Sequence, residues 1–81
     1  MRIQVRLFAV AKELSGQDAV VLEMPEGSTV RQLRGQLAER VPALATVLPR
    51  VLFAVGTDYA ADDLVLSPGD EVACIPPVSG G

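Results

Sequence analysis

Only one stretch of this chain has the spacing of a long amphipathic helix, and that limits how many layers the fold can have. In residues 29–41, TVRQLRGQLAERV, the residues Val30, Leu33, Leu37 and Val41 recur at intervals of three and four, so one face is apolar. Thr29 followed by Gln32 is a capping-box pattern that marks the start of the helix. Pro42 ends or redirects it, and Arg31, Arg34, Glu39 and Arg40 are expected on the wet face. A single helix of this kind can cover one face of one sheet, so the rest of the chain has to supply the sheet.

The flanking segments have strand character. Residues 2–8 alternate, with Ile3, Val5 and Leu7 on one side and Arg2, Gln4, Arg6 and Phe8 on the other, the period of a half-buried strand. AVAKELSG is helical in composition and stopped by Gly16, and the β-branched run in DAVVLEM predicts a second strand ending at Pro25. The pair resembles a hairpin with a helical turn in its connection. After the long helix, PALATVLP predicts a loop or short turn, and VLFAV a third strand, broken by Gly56 and the polar TDYAADD. LVL is expected as a brief edge strand, SPGD as a turn and EVACI as the last strand before PPVSGG. The order predicts an α+β roll, a mixed four- to five-stranded sheet covered on one face by one long helix. A β-grasp arrangement satisfies it, with the final strand beside the first. No repeat or linker interrupts residues 1–81, so one domain is expected, with a flexible tail over 76–81.

Composition then narrows the chemistry. A chain of 81 residues has little material left to wall a deep pocket. It contains no histidine, the usual general acid–base group near neutral pH and the commonest nitrogen ligand of zinc. Net charge is −3, and the basic residues Arg2, Arg6, Lys12, Arg31, Arg34, Arg40 and Arg50 are scattered, so no nucleic-acid partner is expected. Cys74, the single cysteine, can form no internal disulfide and lacks the companions of a metal site, which fits a cytoplasmic setting. The N-terminus alternates instead of running apolar, and no segment approaches the roughly 20 apolar residues of a membrane span.

The last residues, Ile75, Pro76, Pro77, Val78, Ser79, Gly80 and Gly81, are the least core-like. Two prolines rule out a continued central strand, so the end is expected to project. Two terminal glycines arise by chance in roughly one chain in two hundred, and a frayed end is the plain reading. The functional reading is that the Gly81 carboxylate is a reactive group delivered into another protein's active site. Gly80 and Gly81 lack Cβ atoms and pass a narrow channel, Ser79 is small, and the prolines reduce the conformers lost on insertion.

LFAVAKELSG, PEGSTVRQL and above all SPGDEVACIPPVSGG resemble the small subunit of molybdopterin synthase, the MoaD-type sulfur carriers of the ubiquitin-like β-grasp superfamily, over essentially the whole chain. Gly56 departs from the asparagine often found there in the family. The resemblance implies that Gly81 is adenylated by a MoeB-type, E1-like enzyme using ATP, then converted to a thiocarboxylate by a sulfurtransferase. It implies that two such carriers sit in a MoaE-type large subunit, as a heterotetramer, and deliver sulfur to cyclic pyranopterin monophosphate to form the molybdopterin dithiolene. The chain itself would bind no cofactor and contribute the sulfur, not the catalytic pocket. A ubiquitin-like protein modifier and a sulfur carrier for another pathway, such as thiamine, are the alternatives.

Phe8 falls opposite Ile3, Val5 and Leu7, and Ile75 alternates against Cys74, so adjacent first and last strands would join Phe8 and Ile75 in one apolar patch leading to the tail. With Pro76, Pro77 and Val78 these form the expected partner surface, the alternative being that Phe8 is buried in a minor cluster. Cys74 is expected as a buried structural thiol. Asp70 and Glu71 would point to opposite faces and make no catalytic dyad, and Asp62 and Asp63 are expected as a solvated loop with no metal.

Overall fold

The computed structural model describes residues 1–77. The elements follow one another as β1 (Arg2–Leu7), α1 (Ala9–Ser15), β2 (Ala19–Glu23), α2 (Val30–Arg40), 3₁₀ turns at Pro42–Leu44 and Leu48–Arg50, β3 (Leu52–Val55), β4 (Asp58–Ala60) and β5 (Glu71–Ile75). Five strands form one mixed sheet in the order β2-β1-β5-β3-β4. The first and last strands are the central parallel pair, and the other pairings are antiparallel.

Alternation divides the sheet into two faces. Ile3, Val5 and Leu7 of β1, Val20 and Leu22 of β2, Phe53 of β3, and Val72 and Cys74 of β5 are buried against Val30, Leu33 and Leu37 of α2. Burying a side chain such as Leu33 contributes roughly 1.5–3 kcal/mol relative to leaving it exposed. Leu44 and Leu48, from the segment expected as a loop or short turn, and Val51, at the head of the run expected as the third strand, close the same core. Among the described residues no helix lies over the opposite face.

The helix begins where the pattern places it. Thr29 Oγ1 accepts from the Gln32 N–H at 3.3 Å, and Gln32 Oε1 accepts from the Thr29 N–H at 2.8 Å. At the end of α1, Gly16 takes φ 70°, the left-handed conformation that glycine adopts without a Cβ penalty.

Two expectations about strands are corrected. TDYAADD was expected to be only a break, yet Asp58–Ala60 pairs with β3 as a short hairpin, with Ala54 opposite Tyr59 and Phe53 opposite Ala60. LVL was expected as an edge strand, yet it makes only a bridge between Val65 and Thr29. Its backbone is engaged elsewhere. The first N–H groups of a helix have no partner within it, and those of Val30 and Arg31 donate to the carbonyls of Leu64 at 3.0 Å and Asp62 at 2.9 Å. The Leu66 N–H returns a bond to the Ser28 carbonyl at 2.8 Å.

Arg34 and Asp62 also differ from expectation. Arg34 leaves the wet face and donates to the carbonyls of Leu48 and Val51, the latter at 2.8 Å, and to Asp62 Oδ1 at 2.8 Å. Asp62 is therefore half-buried in an ion pair, while Asp63 is exposed. Both shifts have one cause: the carbonyls at the 3₁₀ turn and the entry to β3 need donors, and only the long reach of Arg34 supplies them from α2.

Candidate functional site

The site begins with the sheet's central pairing. Because β5 runs parallel to β1, with Leu7 in register with Cys74, the C-terminal ends of both strands lie at the same end of the sheet. Phe8 follows β1 directly, in extended conformation, and Ile75 closes β5 opposite Leu52 of β3. Both project on the face without a helix. They line one hollow of about 510 Å³ together with Ala54, Gly56, Thr57, Tyr59 and Ala73. Phe8 is 43% exposed and Tyr59 70%, so this end of the sheet presents aromatic surface to solvent instead of burying Phe8 in a minor cluster.

Local geometry holds Phe8 in place. Ala9 takes φ 52°, a left-handed conformation that costs a residue with a Cβ roughly 1–2 kcal/mol. The kink turns the chain from strand into helix within a single residue, and the Phe8 carbonyl accepts from the N–H groups of Ala11 at 3.1 Å and Lys12 at 3.4 Å.

On the other side of the hollow, Gly56 takes φ 65° in the turn between β3 and β4. Glycine and asparagine are the residues that tolerate this conformation, which gives a physical reason for their exchange at this position. Beneath β3, Arg34 stacks over the Phe53 ring, so the wall of the hollow is tied to α2 through the core.

Pro76 and Pro77 continue from Ile75 but do not join the Phe8 hollow. They line a smaller one, of about 180 Å³, with Val10, Val47 and Arg50. Pro76 was expected in the projecting tail and is buried, whereas Pro77 is exposed. Val78, Ser79, Gly80 and Gly81, expected as the tail and its reactive end, lie outside the described residues. Tyr59, Ala54 and Thr57 were not singled out from the sequence. Ala54 lies in the VLFAV run, whose continuous apolar letters do not tell one face from the other, while Tyr59 sits in a segment whose polar composition hides its pairing.

The rest of the surface offers less chemistry. Cys74 is fully buried, and burial pushes its thiol up to about 11 against the opposing field of Arg34. A thiol so held stays protonated near neutral pH and makes a poor nucleophile. Asp70 accepts from the Ser67 N–H at 2.8 Å, a turn-closing bond, so it is occupied structurally. Another hollow, of about 470 Å³, is lined by the β2–α2 turn and α2, and by no residue of β5. Among the described residues no group of three or more His, Cys, Asp or Glu could hold a metal ion. No helix in them is long and apolar enough to cross a membrane.

Comparison with known proteins agrees with this geometry in fold and extent. The family model described as the ThiS family matches residues 5–81. The chain is 40% identical over 81 residues to the molybdopterin synthase sulfur carrier subunit of Arabidopsis thaliana, covering 100% of this chain and 84% of that protein. The crystal structure of SAMP1 from Haloferax volcanii, a small archaeal modifier protein, is similar with a TM-score of 0.89 at 28% identity, covering 100% of both chains. A chain in the complex of subunits 1 and 2 of molybdopterin-converting factor from Helicobacter pylori 26695 is similar in fold, with a TM-score of 0.70 at 21% identity and 100% of both chains covered.

Proposed function

The chain belongs to the ThiS family, and on that premise we propose that it is the sulfur carrier subunit of a molybdopterin synthase. The observation that carries the reading is the juxtaposition at one end of the sheet: a central strand leads past an exposed apolar hollow into Pro76-Pro77, and the sequence continues for four residues to Gly81. That layout suits a protein that docks by its sheet and presents its last residue to a partner's pocket. Full-length similarity to a sulfur carrier subunit supports it.

The chemistry explains why the end of the chain, and not a cleft, carries the reaction. A free carboxylate is a poor electrophile, since its charge repels nucleophiles and its oxygens leave badly. In a MoeB-type activating enzyme the Gly81 carboxylate attacks the α-phosphorus of ATP, pyrophosphate leaves, and a glycyl adenylate forms. The terminal sulfur of a persulfide on the sulfur donor then attacks the carbonyl carbon and AMP departs, giving an acyl disulfide, which a thiol cleaves to the thiocarboxylate while the donor's own sulfur leaves in a disulfide with that thiol. In the MoaE-type large subunit that sulfur bonds to a side-chain carbon of cyclic pyranopterin monophosphate and displaces an oxygen from it, and water then cleaves the acyl–sulfur bond, which leaves the sulfur on the pterin and returns the Gly81 carboxylate. ATP is thus used by the activating enzyme and is not held by this chain. All of these steps belong to a cytoplasmic pathway.

Each residue type has a role in this scheme. Gly80 and Gly81 present no Cβ to the walls of a channel, and Ser79 adds little more bulk. The proline pair limits the conformers of the segment before insertion. Phe8 and Ile75, with Pro77 and Val78, supply docking surface for the large subunit, while Pro76, buried beside Val10 and Val47, anchors the chain where it leaves the sheet. The Helicobacter pylori complex is a complex of two subunits of molybdopterin-converting factor, and the shared fold makes its arrangement a reasonable template here.

Intact-mass measurement of the full chain after incubation with ATP, activating enzyme and sulfur donor tests the reading. Exchange of one oxygen for one sulfur on the C-terminal peptide is the expected result. An unchanged mass, with the same enzymes active on a known carrier, overturns it. The similarity to a small archaeal modifier protein favours a second reading, in which the same activated glycine is joined to lysines of other proteins. Lysine-linked conjugates ending in Gly-Gly would support that one instead.

A further inference from the structure

Among the described residues, Arg6 is the one guanidinium on the face without a helix that stands outside the ion pairs. Among the described residues those pairs are Arg2 with Glu23 at 3.2 Å, Lys12 with Asp18 at 2.9 Å, and Arg34 with Asp62 at 2.8 Å. Carboxylates are close by but otherwise placed. Asp18 feels the charge of Arg6, yet its oxygen is on Lys12 Nζ, and Glu71 stands in register with Gln4, two residues away along β1.

The cross-strand neighbours of Arg6 are small and apolar. Strand register sets a row across the sheet from Ala19 of β2 through Arg6 and Ala73 to Ala54 and Tyr59. Three members of that row, Ala73, Ala54 and Tyr59, line the hollow that also takes in Phe8 and Ile75. A protein that covers the hollow therefore also covers Arg6, or lies against it.

In water an exposed guanidinium is fully solvated. Covered by an apolar surface it loses that solvation, and the loss is offset only by an acceptor of suitable geometry. Arginine pairs with a carboxylate through two parallel hydrogen bonds, which fixes orientation as well as proximity. The chain's net charge of −3 favours a basic partner in general, and a charge this small sets no specificity. Arg6 imposes the opposite requirement at one place, and a local contrast of that kind specifies register.

We propose that Arg6 is a specificity-determining residue of the docking face, and that the large subunit presents a carboxylate against it beside an apolar surface that fills the Phe8–Ile75 hollow. This rests on the sulfur carrier reading, which supplies the large subunit as partner.

The test is the affinity of the full chain for a molybdopterin synthase large subunit from the same organism, measured by calorimetry at about 0.1 M and about 1 M salt, between which the screening length falls from about 10 to about 3 Å. Arg6→Gln is expected to weaken binding about tenfold at the lower salt and less than about threefold at the higher. Arg6→Lys should keep most of the salt dependence, and Arg2→Gln, whose partner Glu23 lies on the same chain, should stay within about twofold of the parent. Equal and small losses for Arg6→Gln and Arg2→Gln overturn the inference. So does an Arg6→Gln loss of the same size at both salts, which would reflect packing of the side chain and not its charge. Absence of any complex with the parent chain overturns the carrier reading and this inference together, and is distinguished from the other outcomes by the parent's own titration.

Discussion

The guanidinium of Arg34 lies over the ring of Phe53, its central carbon 4.8 Å from the ring centroid. This contact joins the covering helix to the strand that walls the apolar hollow. The same side chain satisfies the carbonyls of Leu48 and Val51 and pairs with Asp62, so four separate segments meet at one residue.

Replacing Arg34 should consequently destabilise the whole domain. Arg34→Ala removes the stacking and leaves two carbonyls and a half-buried carboxylate short of donors, a loss of about 2–4 kcal/mol by comparison with similar deletions. Arg34→Lys should recover little, because an ammonium cannot reproduce the planar fork. Asp62→Asn should cost about 1 kcal/mol or less, since the pair is partly exposed. Urea unfolding followed by circular dichroism gives all three values.

Phe8→Ala should separate docking from folding. The ring is 43% exposed and lies outside the core, so the melting temperature should fall by no more than a few degrees. Affinity for the large subunit should fall at least tenfold, as expected for an aromatic anchor beside a pocket. Calorimetric titration and a thermal melt on the same sample check both. A large stability loss with unchanged affinity would count against the hollow as docking surface.

Cys74 makes stability depend on pH at the alkaline end. Burial raises the folded thiol to about 11, above the ordinary value of 9.0, because the charged thiolate is disfavoured in the core. Between those values the unfolded chain has released the proton and the folded chain has kept it. The contribution is therefore complete below pH 9 and is lost as pH rises toward 11, by an amount of the order of 2 kcal/mol. Cys74→Ala should flatten that part of the profile while leaving sulfur loading on Gly81 intact. Denaturant midpoints from pH 8 to 11 and the loading assay at neutral pH measure the two effects.

Gly56 should accept asparagine more readily than any β-branched residue. A Cβ at this position meets nothing within 4 Å, so the penalty comes from φ 65° and not from crowding. Gly56→Asn should cost less than about 1 kcal/mol, whereas Gly56→Val should cost about 2 kcal/mol or more. Thermal melts of the two variants rank them, and equal values would mean that the turn relaxes out of its left-handed conformation.

The helix 30–40 and strands β1, β2, β3 and β5 were legible because each carries its own period and its own start or stop signal. Thr29 with Gln32 is sufficient to start α2, and the alternation of Ile3, Val5 and Leu7 assigns the buried face of β1. Strand β4 was not legible. Its three residues are held by the turn at Gly56 and by the pairing offered by β3, and neither is recorded in the composition of DYA. LVL misled for the reverse reason: its apolar letters suit a strand, but the Leu64 carbonyl accepts from the Val30 N–H at the start of α2 and the Leu66 N–H donates to Ser28.

The sequence by itself determined the fold class, the count of long helices, the buried cysteine and the unusual PPVSGG ending, because periodicity, chain punctuation and residue chemistry are local properties. Tertiary structure alone decided that Phe8, Tyr59 and Ile75 share one hollow, that Pro76 packs beside Val10 and Val47, that Arg34 leaves the wet face, and that Arg6 is left outside the ion pairs. The physical reason is the parallel pairing of β1 with β5. Hydrogen bonds between the two ends of the chain set which side chains become neighbours, and no local pattern in either strand encodes the register of the other.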